Sequence, residues 1–176
     1  MEIRNLNYQD KHDPIYASLD RIQNWMIYGH LSLMDKCQWD ENERLKKFHL
    51  LMRDTAKRFT RSRDLNVIAW FLKQEGDYHN KRYHFHFSIT DDNLERTTPQ
   101  TVSNYLTKQW NKIGKSTCKV VPWDKSKTPL GIWYLTQIEE YPLKHSRYFH
   151  GENCHWKMST LLRTRILEQV KNLPPR

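Results

Sequence analysis

The segment Arg82–Thr90, RYHFHFSIT, constrains the fold of this 176-residue chain more than any other stretch. Apolar and polar residues alternate through it, and strict alternation is typical of a half-buried β-strand. Successive side chains of a strand point to opposite faces, so Phe85 and Phe87 face one way. His84 and His86 then face the other way. The segment therefore predicts a strand with an apolar face for a core and two adjacent histidines on its second face.

The remaining segments predict an α+β fold. Asp40 followed by Glu43 is a capping-box pattern, and the apolar residues after it recur at helical spacing. Pro99 and Gly114 are typical of the start and the end of a second helix. The predicted order is strand 25–34, helix 40–60, strands 65–76 and 82–90, helix 99–114, strand 116–123, a helix from 129 and a helix over 158–170. This order favours a mainly antiparallel sheet flanked by helices, close to the split βαβ arrangement.

Length, charge and hydropathy limit the class of protein. We expect one domain over residues 21–176, preceded by a polar N-terminal arm, 1–20. The 29 Lys and Arg outnumber the 20 Asp and Glu, and the net charge of +9 favours a polyanionic partner such as nucleic acid. The chain has no long apolar run, no signal-peptide pattern and no C-x-x-C pair. We therefore expect a cytoplasmic protein without a membrane partner, in the host cytoplasm if the source is viral.

His84 and His86 predict a metal site. The strand before them is expected to form a hairpin with theirs, which brings Glu75 beside the two imidazoles. Two nitrogens and one carboxylate oxygen leave positions for water and phosphate, and they suit Mn²⁺ or Mg²⁺. The alternative is that the histidines only satisfy hydrogen bonds on the sheet, since an H-x-H pair also arises by chance.

The strand RYHFHFSIT, with Glu75 on the strand before it, resembles the His-hydrophobic-His signature of the HUH endonucleases, in particular their replication initiator (Rep) branch. The resemblance covers about residues 25–140, with YGHLSL (28–33) in the place of the family's first motif. It implies a metal-dependent endonuclease that nicks single-stranded origin DNA, including a hairpin form, and remains attached through a 5′-phosphotyrosine. It also implies that His84, His86 and Glu75 hold the metal.

The resemblance further implies that Tyr134 is the nucleophile, because the family places a tyrosine on a later helix. The family's Y-x-x-K pattern has Gln137 here in place of lysine. Gln137 is expected either to form a hydrogen bond near the reacting group or to bind the metal through its carbonyl oxygen. The choice of nucleophile stays open, since Tyr141 and Tyr148 follow closely. Tyr105 matches Y-x-x-K but comes too early in the chain, and we expect it to be a core aromatic.

The segment KRFTRSR predicts a DNA-contacting cluster of Lys57, Arg58, Arg61 and Arg63, with a solvated helix end as the alternative. The chain has no G-x-x-x-x-G-K-S/T segment, so we expect a separate helicase, or another part of a longer protein, to unwind the DNA. Two other functions stay open. One is an HUH transposase or relaxase, and the other is a non-catalytic nucleic-acid-binding domain in which the histidines are surface residues.

Overall fold

A computed structural model describes residues 22, 24–34, 38–60, 62, 64, 67–77, 82–124 and 155–171. Within these residues the chain forms five strands and three helices, which confirms the α+β class and the antiparallel sheet. The elements in chain order are β1 (Trp25–Ser32), α1 (Glu41–Phe59), β2 (Trp70–Asp77), β3 (Arg82–Thr90), α2 (Pro99–Ile113), β4 (Cys118–Pro122), β5 (His155–Met158) and α3 (Thr160–Lys171).

The sheet has the strand order β4-β1-β3-β2-β5, and each neighbouring pair is antiparallel. Because β1 and β2 are both antiparallel to β3, they run parallel to each other with β3 between them. This is the expected split βαβ arrangement, with β5 added beyond β2. The strand that carries His84 and His86 is therefore the central strand of the sheet.

Both helices that follow a predicted cap begin where the sequence places them. The Asp40 carboxylate accepts a hydrogen bond of 2.8 Å from the backbone N–H of Glu43, and the Glu43 carboxylate accepts one of 3.0 Å from the N–H of Asp40. This reciprocal pair satisfies two N–H groups that the first turn of α1 leaves without helical partners. Thr98 caps α2, Pro99 occupies its first turn and Gly114 caps its end.

The core lies between one face of the sheet and the helices α1 and α2. Phe48 of α1 meets Phe85 and Phe87 of β3 at ring-centroid distances of 5.9 and 5.6 Å. Trp110 of α2 lies 6.0 Å from the Phe85 ring, and its indole N–H donates a 2.7 Å hydrogen bond to the backbone carbonyl of Ser32. Since these phenylalanines alternate with the histidines, both helices cover the face opposite His84 and His86.

Gly29 of β1 lies directly opposite Phe87 of β3. A Cβ atom at position 29 would be 2.0 Å from Cε1 of the Phe87 ring. The absence of a Cβ at position 29 therefore provides the space in which the Phe87 ring packs across β1. Glycine is required here because the ring approaches the backbone closely. It separates Tyr28 and His30, which project from the other face of the same strand.

Several boundaries differ from the predicted ones, and one strand was not predicted. Strand β1 ends at Ser32 instead of 34, and β4 covers Cys118–Pro122 instead of 116–123. Strand β2 begins at Trp70, later than residue 65. The short strand β5 pairs with β2 from Phe71 to Gln74. Its sequence, HWKM, is too short to show the alternation of apolar and polar residues that predicts a strand. Backbone hydrogen bonds to the neighbouring strand are what mainly hold such a short edge strand in place. Met158 belongs to this strand, so α3 begins at Thr160 instead of 158.

The predicted N-terminal arm, 1–20, and the predicted helix from residue 129 lie outside the described residues. Among the helices that the structure describes, none combines the length and the apolar character that a bilayer crossing requires.

Candidate metal centre

Three histidines meet on the face of the sheet opposite α1 and α2. His84 and His86 project together from β3, as their spacing predicts. The pairing of β1 with β3 places His30 directly opposite His86. The ring centroids are 4.8 Å apart for His30 and His84, 4.9 Å for His30 and His86, and 5.0 Å for His84 and His86. We refer to His30, His84 and His86 as the histidine triad.

The histidine triad fits a single divalent ion. One ring nitrogen from each residue lies within 4.8 Å of the other two. Bonds from imidazole to a metal such as zinc are about 2.0–2.1 Å, so donors on one ion lie within about 4 Å of one another. Binding of one ion would therefore require the three imidazoles to move slightly closer together. Three nitrogen donors also leave coordination positions for water or a substrate oxygen.

Tyr28 of β1 contacts one member of the histidine triad. The Tyr28 hydroxyl lies 3.0 Å from Nδ1 of His86, at hydrogen-bonding distance. The two rings are stacked, with centroids 6.4 Å apart and planes inclined by 23°. Tyr28 lies opposite Ser88 in the register, one position diagonal to His86. The contact therefore joins β1 to β3 on the same face as the triad.

Exposure changes along β3 across the triad. His84 is half-buried, His86 is 8% exposed, and Ser88 is fully buried. His30 on the neighbouring strand is half-buried as well. The accessible side of the triad is therefore the His84 end, near the connection between β2 and β3. A ligand that approaches from this side meets His84 before His86.

Strand β2 contributes two charged residues to the register beside the triad. Lys73 pairs with His86, and its side chain is fully buried. Glu75 pairs with His84, which is the neighbour relation predicted from the hairpin. The side chain of Glu75 lies outside the described residues, so its role as a ligand stays a prediction.

The predicted DNA-contacting residues are separated from the triad. Lys57 and Arg58 are exposed in the last turn of α1, which packs on the core face of the sheet. Cations in this position also interact favourably with the carboxyl end of the helix dipole. Arg61 and Arg63 lie outside the described residues. The described part of the cluster therefore lies on the opposite side of the sheet from the histidines.

Both residues assigned to the reaction itself, Tyr134 and Gln137, lie outside the described residues, as do Tyr141 and Tyr148. Tyr105 packs edge-to-face on Phe59, with ring centroids 5.2 Å apart. Its hydroxyl donates a 3.2 Å hydrogen bond to the backbone carbonyl of Asp54. Tyr105 is half-buried, so it packs on α1 beside the core and is not one of the buried core residues that the sequence led us to expect.

Sequence reasoning did not identify three residues at the centre: Tyr28, His30 and Lys73. The first two are two positions apart in a predicted strand, so they share a face just as His84 and His86 do. That signal was available in the sequence. The spacing of Tyr28 and His30 becomes informative only when β1 is known to lie beside β3. Alternation shows which side chains share a face of the sheet, but it does not show which strand is the neighbour.

Comparison with known proteins adds no family to these observations. No protein-family model matches the chain, and no curated protein matches its sequence. The features of this chain that bear on its function are the histidine triad, the sheet that carries it and the net positive charge.

Proposed function

We propose that this chain is a metal-dependent endonuclease of the HUH type, which nicks and rejoins single-stranded DNA as Rep proteins do when they initiate rolling-circle replication. The observation that carries the proposal is the meeting of His84 and His86, on the central strand, with His30 on the sheet face opposite α1 and α2. The net charge of +9 supports a nucleic-acid substrate.

The ligand set proposed here differs from the one expected from the sequence. His30 joins His84 and His86, while Glu75 and Gln137 remain candidates for a further position. Imidazole nitrogen suits transition metals, whereas Mg²⁺ strongly prefers oxygen donors. Of the two ions expected from the sequence, the triad therefore favours Mn²⁺ over Mg²⁺.

The proposed reaction is a transesterification. His30, His84 and His86 would hold a divalent ion, and this ion would supply electrophilic stabilisation of the charge that develops on the phosphate. The phenol oxygen of Tyr134 forms the new bond to phosphorus, the bond to the 3′ oxygen breaks, and the phenolic proton ends on that departing oxygen. One phosphodiester replaces another, so the 3′ hydroxyl can reverse the step and rejoin the strand.

Covalent capture tests this proposal. The wild type, Tyr134→Phe and the matched variant Tyr141→Phe are incubated with a mixed pool of labelled single-stranded oligonucleotides, in Mn²⁺ or in EDTA. We expect a protein–DNA adduct on a denaturing gel for the wild type and Tyr141→Phe, in Mn²⁺ only. An adduct that persists in Tyr134→Phe and disappears in Tyr141→Phe would move the nucleophile to Tyr141. Equal DNA binding in both conditions without any adduct would favour the non-catalytic domain.

Removal of a triad imidazole separates cleavage from binding. His86→Ala is expected to abolish metal-dependent cleavage and to leave salt-sensitive DNA binding close to that of the wild type. His49→Ala is the matched control, because His49 lies on α1, on the other side of the sheet. Equal loss of cleavage and binding in His86→Ala would contradict a metal-site role for this residue.

A further inference from the structure

We propose that Tyr28 is a positioning residue for the metal ligand His86 and that it determines which ring nitrogen of His86 binds the ion. The inference rests on the proposed metal site. The supporting observation is that the Tyr28 hydroxyl lies 3.0 Å from Nδ1 of His86. Since Nδ1 of His86 is hydrogen-bonded to Tyr28, Nε2 is the nitrogen of His86 that is left to bind the metal.

The tautomer of His86 follows from this assignment. A neutral imidazole carries one proton, and the nitrogen that binds a metal must be the one without it. With Nε2 on the ion, Nδ1 carries the proton and donates its hydrogen bond to the phenol oxygen of Tyr28. Ligating histidines generally donate their second N–H to a protein acceptor, which fixes the ring orientation and raises the basicity of the ligand.

The surroundings of Tyr28 suit a positioning role. His86 is only 8% exposed, so solvent is a poor substitute for the phenol oxygen at Nδ1. The two ring planes are inclined by 23° with centroids 6.4 Å apart, so the phenol lies beside the imidazole on the same face of the sheet. Tyr28 is also two residues from His30 on the same strand, so a single strand positions one ligand and provides another. Loss of the Tyr28 hydroxyl should therefore lower the affinity for the metal more than it lowers the stability of the fold.

The test measures metal binding in Tyr28→Phe, which removes only the hydroxyl. Tyr105→Phe is the matched control, because it removes a hydroxyl that bonds a backbone carbonyl away from the triad. Co²⁺ is the probe, followed by titration calorimetry and by its visible absorption spectrum. We expect about 10- to 100-fold weaker Co²⁺ binding and an altered spectrum in Tyr28→Phe, and no change in Tyr105→Phe. Thermal unfolding of the metal-free proteins separates this effect from a loss of stability.

A second measurement does not depend on the folding of a variant. Nitrogen NMR of the Zn²⁺-loaded wild type identifies the coordinating nitrogen of His86, and we expect Nε2. Coordination through Nδ1 would overturn the proposal, and so would Tyr28→Phe binding Co²⁺ within twofold of the wild type. If the wild type binds no metal, both this inference and the proposed function fail. If Tyr28→Phe loses the DNA adduct at unchanged Co²⁺ affinity, only the positioning role fails, because Tyr28 then acts in the reaction itself.

Discussion

His30 lies directly opposite His86 in the register of β1 and β3, and their ring centroids are 4.9 Å apart. The two residues are far apart in the chain, with a helix and a complete strand between β1 and β3. The triad therefore exists only when the sheet has formed. Binding of an ion to the triad would therefore be coupled to folding, as at other sites built from distant segments.

His30→Ala is expected to weaken Mn²⁺ binding by more than about 100-fold, because loss of a ligand exceeds the 10- to 100-fold effect of outer hydrogen-bonding partners. Titration calorimetry provides the measurement, with His49→Ala as the control for loss of an imidazole elsewhere. Unchanged Mn²⁺ affinity in His30→Ala would remove this residue from the ligand set and favour Glu75 in its place.

Mn²⁺ is expected to raise the thermal unfolding temperature more than Mg²⁺ does at equal concentration. A ligand that binds only the folded state adds about 2.7 kcal/mol at 100 times its dissociation constant, so the ion that binds more tightly stabilises more. His30→Glu replaces one nitrogen donor with oxygen and should narrow the difference between the two ions. Equal shifts by both ions in the wild type would argue against a triad of nitrogen donors.

His49 is expected to make stability depend on pH below neutrality. Burial, followed by the positive charge of Lys157, lowers the pKa of His49 from its ordinary value of 6.5. The unfolded chain then binds the proton first, so the free energy of unfolding falls as the pH drops below about 6.5. Urea unfolding at pH 7.5 and 5.5, in EDTA, should show a smaller loss in His49→Gln than in the wild type. An identical loss in both proteins would contradict this contribution.

Gly29→Ala is expected to destabilise the fold by about 1–3 kcal/mol, the usual cost of overpacking, because its Cβ would lie 2.0 Å from the Phe87 ring. Phe87→Leu provides the control, since it removes the obstructing ring at a cost of its own. In the double variant the two effects should be less than additive, as expected for residues in contact. Full additivity in urea unfolding would show that the cost of Gly29→Ala does not arise from the Phe87 ring.

Lys57 and Arg58 offer a test of the predicted DNA-contacting cluster. If both contact phosphates, Lys57→Gln with Arg58→Gln should reduce the slope of log affinity against log salt by about 0.7 for each lost contact with single-stranded DNA. The double variant Lys46→Gln with Arg53→Gln removes the same charge from exposed positions on the same helix. Equal reductions in the two double variants would assign the effect to net charge and not to a contact at the end of α1.

Local patterns in the sequence were sufficient for much of the fold. The capping pair Asp40 and Glu43, the Pro99–Gly114 helix and the alternation of Arg82–Thr90 each act over a few residues, so they can be recognised without knowing the neighbours. The two histidines of β3 could be placed on one face for the same reason. Strand β5 could not be predicted, because its pairing with β2 depends on backbone groups that every residue has.

The candidate centre could be predicted only in part, because it depends on which strands become neighbours. The hairpin between β2 and β3 is local, so the pairing of Glu75 with His84 followed from the spacing. The pairing of His30 with His86 requires β1 to cross over and lie on the other side of β3. Periodicity contains no information about that choice, which is made when the sheet buries its apolar face under α1 and α2.

The position of β3 between β1 and β2 has a consequence for how a substrate is accommodated. A strand paired on both sides belongs to the most protected part of a domain, whose backbone opens mainly when the whole domain unfolds. His84 and His86 therefore project from a backbone that is already fixed before any ligand arrives. Adjustment during binding would fall to the imidazole torsions and to the ligand, so the protein would set the geometry of a complex and the ligand would adapt to it.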